Sequence, residues 1–164
     1  MAGPLDDIEQ KLLRELQTDA RQTNVALARK VGLTEGAVRR RVEKLLRTGA
    51  FRVVAIGDPE QLGLNTHAVI GLKVELTRVE DMANTLAEMP ELSYVYETTG
   101  QFDIIVVGFF PSNEHLRAFL TRKLAGLPGI IDSDTFLVMR TVKRSFRWGE
   151  MTEADEPLPA SDGQ

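Results

Sequence analysis

Residues Leu33–Leu46 read LTEGAVRRRVEKLL, and their spacing predicts a single helix with two different faces. Because a helix turns about 100° per residue, the apolar Val38, Val42 and Leu45 fall on one side. The opposite side is polar and mostly cationic, and it consists of Gly36, Arg40, Glu43 and Lys44, with Arg39 and Arg41 on the flanks. One face can therefore pack against a core while the other faces an anionic partner.

Both ends of this helix carry recognisable signals. Thr34 suits the N-cap, because its hydroxyl can accept a hydrogen bond from an unpaired amide of the first turn. Gly49 follows the last turn, where a left-handed residue commonly ends a helix. Asn24–Val31 predicts a shorter upstream helix, joined to the first by Gly32 and Leu33. Two helices joined by such a turn are typical of a helix-turn-helix, whose second helix enters the major groove of DNA.

An ordinary helical hairpin with a solvated basic face is the alternative interpretation of this pattern. The charge distribution favours DNA binding, because residues 1–50 carry a net charge of +3 and residues 51–164 a net charge of −7. The net positive charge of residues 1–50 suits contact with DNA phosphates. The net negative charge of residues 51–164 discourages non-specific binding of the rest of the molecule to DNA. We therefore predict a helix-turn-helix DNA-binding domain over residues 1–50. Its first element is an amphipathic helix over Asp6–Leu16.

The composition restricts the possible functions. The hydrophobic share of 43% and the charged share of 27% are typical of a soluble globular protein. The absence of cysteine excludes disulfides and thiolate metal sites and fits a cytoplasmic location. The longest strongly apolar run, Ile104–Phe110, is much shorter than the roughly 18 residues that a membrane helix needs. We therefore expect no membrane partner.

Catalysis has little support in the sequence. The two histidines, His67 and His115, lie in no recognisable acid–base or nucleophile motif. The chain also has no P-loop, no GxGxxG motif and no metal-ligand cluster. We predict that the protein is not an enzyme and needs no cofactor.

After residue 50 the pattern changes from helical to mixed. Phe51–Ile56 is apolar and β-branched and predicts a strand, and the Gly, Pro and polar residues up to residue 65 predict a hinge. The elements that follow alternate as strand, helix, strand, strand, helix and strand, over Thr66–Leu76, Val79–Met89, Leu92–Thr98, Asp103–Phe110, Pro111–Leu124 and Asp132–Lys143. This order predicts a ferredoxin-like βαββαβ domain over residues 66–148. Residues 149–164 are acidic and predict a disordered tail.

The predicted fold is therefore α+β, with an N-terminal winged-type helix-turn-helix and a C-terminal ferredoxin-like sandwich. Four strands with two helices on one face leave the other face of the sheet uncovered. Apolar residues supply both faces of this sheet, and exposed apolar patches usually indicate a partner. A homodimer formed sheet to sheet is the simplest way to cover such a face.

Five motifs, taken together, resemble the Lrp/AsnC family of bacterial and archaeal transcriptional regulators. They are LDDIEQKLLRELQTDAR at Leu5–Arg21, LARKVGLTEGAVRRRVEKLLRTGAF at Leu27–Phe51, GDPEQLG at Gly57–Gly63, TTGQFDIIV at Thr98–Val106 and LAGLPGIIDSDTF at Leu124–Phe136. The family joins a helix-turn-helix to a ferredoxin-like module that binds amino acids and drives oligomerisation. The resemblance implies a sequence-specific regulator whose partners are double-stranded DNA, an amino-acid effector and further copies of itself, as dimers that form tetramers or octamers.

The same resemblance matches the recognition helix to Thr34–Leu46. The implied DNA-binding residues are Thr34, Glu35, Gly36, Arg39, Arg40, Arg41, Lys44 and Arg47. Arg21, just before the second helix, is a further candidate for phosphate contact, and a solvated arginine is the alternative. The three consecutive arginines are the main candidates, because bidentate contact of arginine with guanine is the commonest specific contact. Arg41 lies beside the packed face, which favours phosphate contact for it. Gly36 costs the helix roughly 1 kcal/mol relative to Ala, and either close approach to DNA or chance explains it.

The effector loop of the family matches the turn at Gly100–Asp103. Backbone amides at a glycine turn can hold an α-carboxylate, and a carboxylate can accept from an α-ammonium. A plain hairpin turn is the alternative, since Gly and Asp are common in turns. The effector candidates are Gly100 and Asp103, with Thr98, Thr99, Gln101 and Asp134 as weaker ones. An amino-acid sensor that does not bind DNA is the competing function, but it has no need of the arginine cluster.

Overall fold

The computed structural model describes residues 5–146, which form two compact units. Residues 5–55 and 143–146 belong to the first unit, and Ile56–Val142 form the second. The helices of the first unit are α1 (Asp7–Thr18), α2 (Asn24–Val31) and α3 (Glu35–Arg47). The second unit contains β1 (Thr66–Val74), α4 (Val79–Ala87), β2 (Leu92–Glu97), β3 (Ile104–Phe110), α5 (Asn113–Ala118) and β4 (Ile130–Leu137). The predicted acidic tail lies outside the described residues.

Each helix of the first unit begins at a side-chain N-cap. Asp6, Thr23 and Thr34 accept hydrogen bonds from the amides of Glu9, Ala26 and Ala37, respectively. Such caps satisfy amides that have no partner inside the helix. α2 ends at Gly32, whose φ of 70° provides the left-handed turn between α2 and α3. The predicted helix-turn-helix and its Thr34 cap are therefore confirmed.

A small apolar core holds the three helices together. Its buried members are Leu12, Leu16, Leu27, Ala28 and Val38, and Val42 and Phe51 are among the half-buried residues that pack against them. Complete burial of one such leucine contributes about 1.5–3 kcal/mol relative to its exposure. The apolar face predicted for α3 is thus the face that packs.

The second unit is a four-stranded sheet in the order β2-β3-β1-β4, and every neighbouring pair is antiparallel. This confirms the predicted ferredoxin-like fold. Alternate residues of β3 are buried, and they meet Met82 and Leu86 of α4 and Leu116 of α5 on one side of the sheet. After α5 the chain continues as a π-helical turn at Phe119–Lys123.

The prediction of a strand at Phe51–Ile56 was wrong for the described chain. This segment forms no strand, and Val53, Val54 and Ile56 are exposed. The first unit, as far as it is described, contains no strand that could pair with the segment, and a strand without a neighbour leaves its backbone groups unpaired.

The last strand is shorter than the predicted Asp132–Lys143 and begins earlier, at Ile130. Within the described chain it pairs with β1 alone, where Ala68 lies opposite Leu137. The amide of Val138 donates to the carbonyl of His67 at 2.8 Å. Because β1 starts at Thr66, it offers no further backbone for residues 140–143 to pair with.

Within residues 5–146, no helix is long and apolar enough to cross a membrane, and no group of three or more His, Cys, Asp or Glu residues is placed to hold a metal. The two histidines have local contacts. The ring of His67 stacks on Phe109 at 4.3 Å, and Nδ1 of His115 lies 2.8 Å from Oγ of Ser112.

Candidate DNA interface and effector cleft

The face of α3 that lies opposite the core presents exposed cations. Val38 and Leu45 are buried on the core side, whereas Arg40 and Arg47 are exposed half a turn away. Neither arginine forms an ion pair with any residue of the described chain. Arg39 lies 3.9 Å from Glu43 in an exposed pair, a type that contributes little to stability. This face therefore offers unpaired guanidinium groups for phosphate oxygens or base edges.

Two other predicted DNA contacts, Arg41 and Lys44, are directed at α1 instead. Nη1 of Arg41 lies 2.5 Å from Oδ2 of Asp6 and 3.8 Å from Glu9. Nζ of Lys44 lies 2.8 Å from Oε1 of Glu9. The structure thus separates the cations of α3 into two groups that the sequence pattern treated as one.

The carboxylates that bind these cations are fixed by the cap of α1. The backbone amide of Glu9 and the guanidinium of Arg41 both donate to Asp6, and they hold the pKa of its carboxyl below the ordinary value. Lys44 lowers the pKa of Glu9, assisted by the backbone amide of Asp6. Both groups are therefore ionised at neutral pH. Sequence reasoning missed this pair, although Asp at N-cap with Glu three residues later is the signature of a capping box.

The remaining predicted DNA residues lie at or near the start of α3. Oγ1 of Thr34 accepts from the Ala37 amide at 3.3 Å, and Glu35 is exposed in the first turn. A Cβ added at Gly36 would meet nothing within 4 Å, so packing inside the chain does not require glycine. Arg21 is exposed in the loop between α1 and α2.

A cleft of about 750 Å³ in the second unit contains part of the predicted effector site. It lies where the segment between β1 and α4, the start of α4 and the end of β2 with its following loop meet. Its lining is Leu76, Val79, Glu97, Thr98, Thr99 and Asp103. Three of the predicted residues, Thr98, Thr99 and Asp103, are therefore brought together. Among the described residues, the lining contains two carboxylates, two hydroxyls and an aliphatic part, but no Lys or Arg.

Asp103 also holds the loop in place. Its Oδ2 accepts from the Val74 amide at 2.8 Å, and its own amide donates to the Leu72 carbonyl at 2.9 Å. Thr98 ties the other side of the loop, because its hydroxyl donates to the Phe102 carbonyl at 2.6 Å. The carboxylate thus links the end of β1 to the start of β3.

The other effector candidates lie outside this cleft. Gly100, with a φ of 106°, provides the turn, and Gln101 is exposed beside it. Asp134 lies opposite Gly71 on β4 and is exposed. Sequence reasoning missed Leu76, Val79 and Glu97. The exposure of a large apolar residue such as Leu76, at 85%, becomes apparent only from the fold.

Family models match both units. The AsnC-type helix-turn-helix domain matches residues 5–46, and the Lrp/AsnC ligand binding domain matches residues 67–148. Among solved structures, the chain is similar to a transcriptional regulator of Neisseria meningitidis in complex with L-Met, with a TM-score of 0.79, 27% identity and coverage of 87% of this chain and 95% of that one. Escherichia coli AsnC has the same fold, with a TM-score of 0.79 at 24% identity over 87% and 97% of the two chains.

Curated relatives extend the match over most of the chain. The HTH-type transcriptional regulator FL11 of Pyrococcus horikoshii is 34% identical over 146 residues, which are 88% of this chain and 96% of that protein. The HTH-type transcriptional regulator Ptr1 of Methanocaldococcus jannaschii is 34% identical over 140 residues, or 85% and 95%. With a matching DNA-binding domain before a matching ligand-binding domain, the chain belongs to the Lrp/AsnC family of transcriptional regulators.

Proposed function

We propose that this regulator responds to an amino acid held in the cleft beside the β2–β3 turn. The observation that carries the proposal is the pair of carboxylates, Glu97 and Asp103, in a cleft that no Lys or Arg of residues 5–146 lines. Such a lining accepts an α-ammonium through charge-assisted hydrogen bonds. The aliphatic Leu76 and Val79 offer contact to an apolar part of the ligand. The L-Met complex of the Neisseria relative supports this class of effector.

DNA binding is proposed to use the outward cations of α3 with residues at its start. Arg40 and Arg47 face away from the core without ion-pair partners in the described chain, and Arg39 is held only weakly. Thr34, Glu35 and Gly36 lie at the N-terminal end of the helix, which approaches base edges in a helix-turn-helix complex. Arg21 is proposed as a phosphate contact beside them.

The uncovered face of the sheet supports assembly into dimers and larger oligomers. Tyr94 and Tyr96 lie opposite Val107 and Ile105, on the side of the sheet away from the helices, and are 41% and 48% exposed. Phe136 of β4 is 54% exposed on the same side. A second copy that covers this apolar face forms a homodimer. The effector then changes DNA binding if it binds one assembly better than another. DNA binding and a free amino acid both point to action in the cytoplasm.

Fluorescence anisotropy tests this function directly. A duplex selected in vitro by the full-length protein is titrated with and without a pool of the twenty amino acids, and then with each one singly. We expect the pool to change the affinity for the selected duplex and to leave that for a scrambled duplex unchanged. An affinity that no amino acid alters, by itself or in the pool, contradicts the proposed effector class.

A further inference from the structure

The carboxylates of Asp6 and Glu9 each divide their oxygens between two tasks. One oxygen of each completes the cap of α1: the Glu9 amide donates to Oδ1 of Asp6 at 2.7 Å, and the Asp6 amide donates to Oε2 of Glu9 at 3.2 Å. The other oxygen of each accepts from α3, Oδ2 from Arg41 and Oε1 from Lys44. We call Asp6, Glu9, Arg41 and Lys44 the α1–α3 ion cluster. Its anions are rigid because the cap orients them.

The two cations of the cluster, Arg41 and Lys44, are among the residues that the sequence pattern assigns to DNA binding. DNA phosphates and side-chain carboxylates compete for the same donors. The side chain of Glu9 is only 5% exposed, so transfer of Lys44 to a phosphate would leave a buried carboxylate without its main partner. The Lys44 end of this pair is open to solvent, with its side chain 57% exposed, but loss of the pair leaves the enclosed Glu9 carboxylate uncompensated. This enclosure of Glu9 favours retention of Lys44 by the cluster over its transfer to a phosphate.

We propose that Asp6 and Glu9 act as intramolecular substitutes for phosphate, which hold Arg41 and Lys44 away from DNA and so limit non-specific binding. The inference rests on DNA binding through α3. Arg39, Arg40 and Arg47 then supply the contacts of this helix with DNA. Fewer phosphate contacts lower the sequence-independent part of the affinity and leave a larger share to base contacts. Asp6 and Glu9 are thus positioning residues that determine specificity without touching DNA.

The test compares the salt dependence of binding among variants of the full chain. Glu9→Gln keeps a carbonyl oxygen for the Asp6 amide, as a capping box allows, but its amide NH₂ cannot accept from Lys44. We expect tighter binding of a scrambled duplex, and a steeper slope of log affinity against log salt by about 0.9 for each released cation. The ratio of specific to non-specific affinity should fall. An unchanged slope with the fold intact, as shown by circular dichroism, overturns the proposal.

Glu15→Gln is the matched control. It removes the same charge from the same helix, but Glu15 pairs with Lys30 of α2 at 2.5 Å rather than with α3. Lys30 also donates to Oε1 of Gln22 at 2.7 Å, so it keeps a partner in this variant. We expect its salt slope to equal that of the unmodified chain. An equal steepening in both variants assigns the effect to net charge and overturns the proposal.

Two single substitutions that leave Glu9 intact test whether Arg40 contacts DNA and Lys44 does not. Arg40→Met removes an outward cation and should reduce the salt slope by about 0.9, whereas Lys44→Met should leave it unchanged. Adding Lys44→Met to Glu9→Gln should cancel the gain in non-specific affinity, as a double-mutant cycle requires of coupled residues. A loss of slope in Lys44→Met equal to that in Arg40→Met overturns the proposal. Failure of the unmodified chain to bind any duplex contradicts DNA binding itself.

Discussion

Gly36 occupies the first turn of α3, where the helix itself favours alanine. Its φ is not positive, and a Cβ there would meet open space, so neither backbone strain nor packing requires glycine. By helical spacing Gly36 lies on the same side as Arg40 and Glu43, away from the core. At the residue scale, we propose that close approach of DNA to this backbone, rather than chance, accounts for the glycine.

Gly36→Ala should stabilise the free protein by up to about 1 kcal/mol, because alanine loses less backbone entropy in a helix. The added methyl group should weaken binding to a selected duplex at least several-fold. Thermal melting and anisotropy measure the two effects. Gly126→Ala is the control, since its Cβ also meets open space but lies in the ferredoxin-like unit. Unchanged DNA affinity in Gly36→Ala would show that the glycine is incidental.

Asp103 combines a structural and a ligand-binding role, and two substitutions separate them. Asp103→Ala leaves the Val74 amide without its acceptor, at a cost of about 1–3 kcal/mol for a buried unsatisfied group. Asp103→Asn keeps an acceptor of the same shape and removes only the charge. We expect both variants to lose the amino-acid response and to retain basal DNA binding, with a lowered melting temperature in the alanine variant alone. A full response in Asp103→Asn would place the ammonium site elsewhere.

At the scale of elements, α1 is held to its neighbours by carboxylates. Lys30 lowers the pKa of Glu15, as Lys44 does for Glu9. A carboxyl whose pKa is lower in the folded than in the unfolded state binds fewer protons when folded at acidic pH. Its contribution to stability is complete above the ordinary value of 4.5 and disappears as the pH falls through the lower, folded value.

The helical unit should therefore lose stability as the pH is lowered from 5 towards 3. Glu9→Gln should be less stable than the unmodified chain at pH 6 and should show a weaker decline below pH 4.5. Urea denaturation across this range, followed by circular dichroism, measures both changes. Parallel curves for the two proteins would show that Glu9 does not contribute to the acid sensitivity.

The strands show how far a local pattern determines an element. The alternation of β1 and the apolar run of β3 predicted their positions to within two residues. Apolar residues at strand spacing also predicted a strand at Phe51–Ile56 and an extension of β4 to Lys143. Strand formation requires a backbone partner, and the described chain provides none at either place.

At the scale of the whole molecule, the uncovered sheet face should control assembly. Tyr96→Glu places a charge on the β2 part of this face, where burial against a second copy would be costly. We expect sedimentation velocity to show smaller species than the unmodified chain forms at the same concentration. Asn84→Glu is the control, because it adds the same charge to the exposed side of α4. An unchanged distribution in Tyr96→Glu would move the interface to another surface.

The amino-acid sequence by itself determined the three N-terminal helices, the Thr34 cap and the βαββαβ order, because periodicity and capping depend on residues within a turn or two of each other. It also identified the cationic helix and the Asp103 turn. Only the tertiary structure decided which cations of α3 face solvent, since Arg41 and Lys44 meet partners 35 positions away in the chain. The same holds for Leu76, Val79 and Glu97 in the cleft, which different elements bring together. Contacts between elements depend on how helices and strands pack, and a local pattern carries no record of that packing.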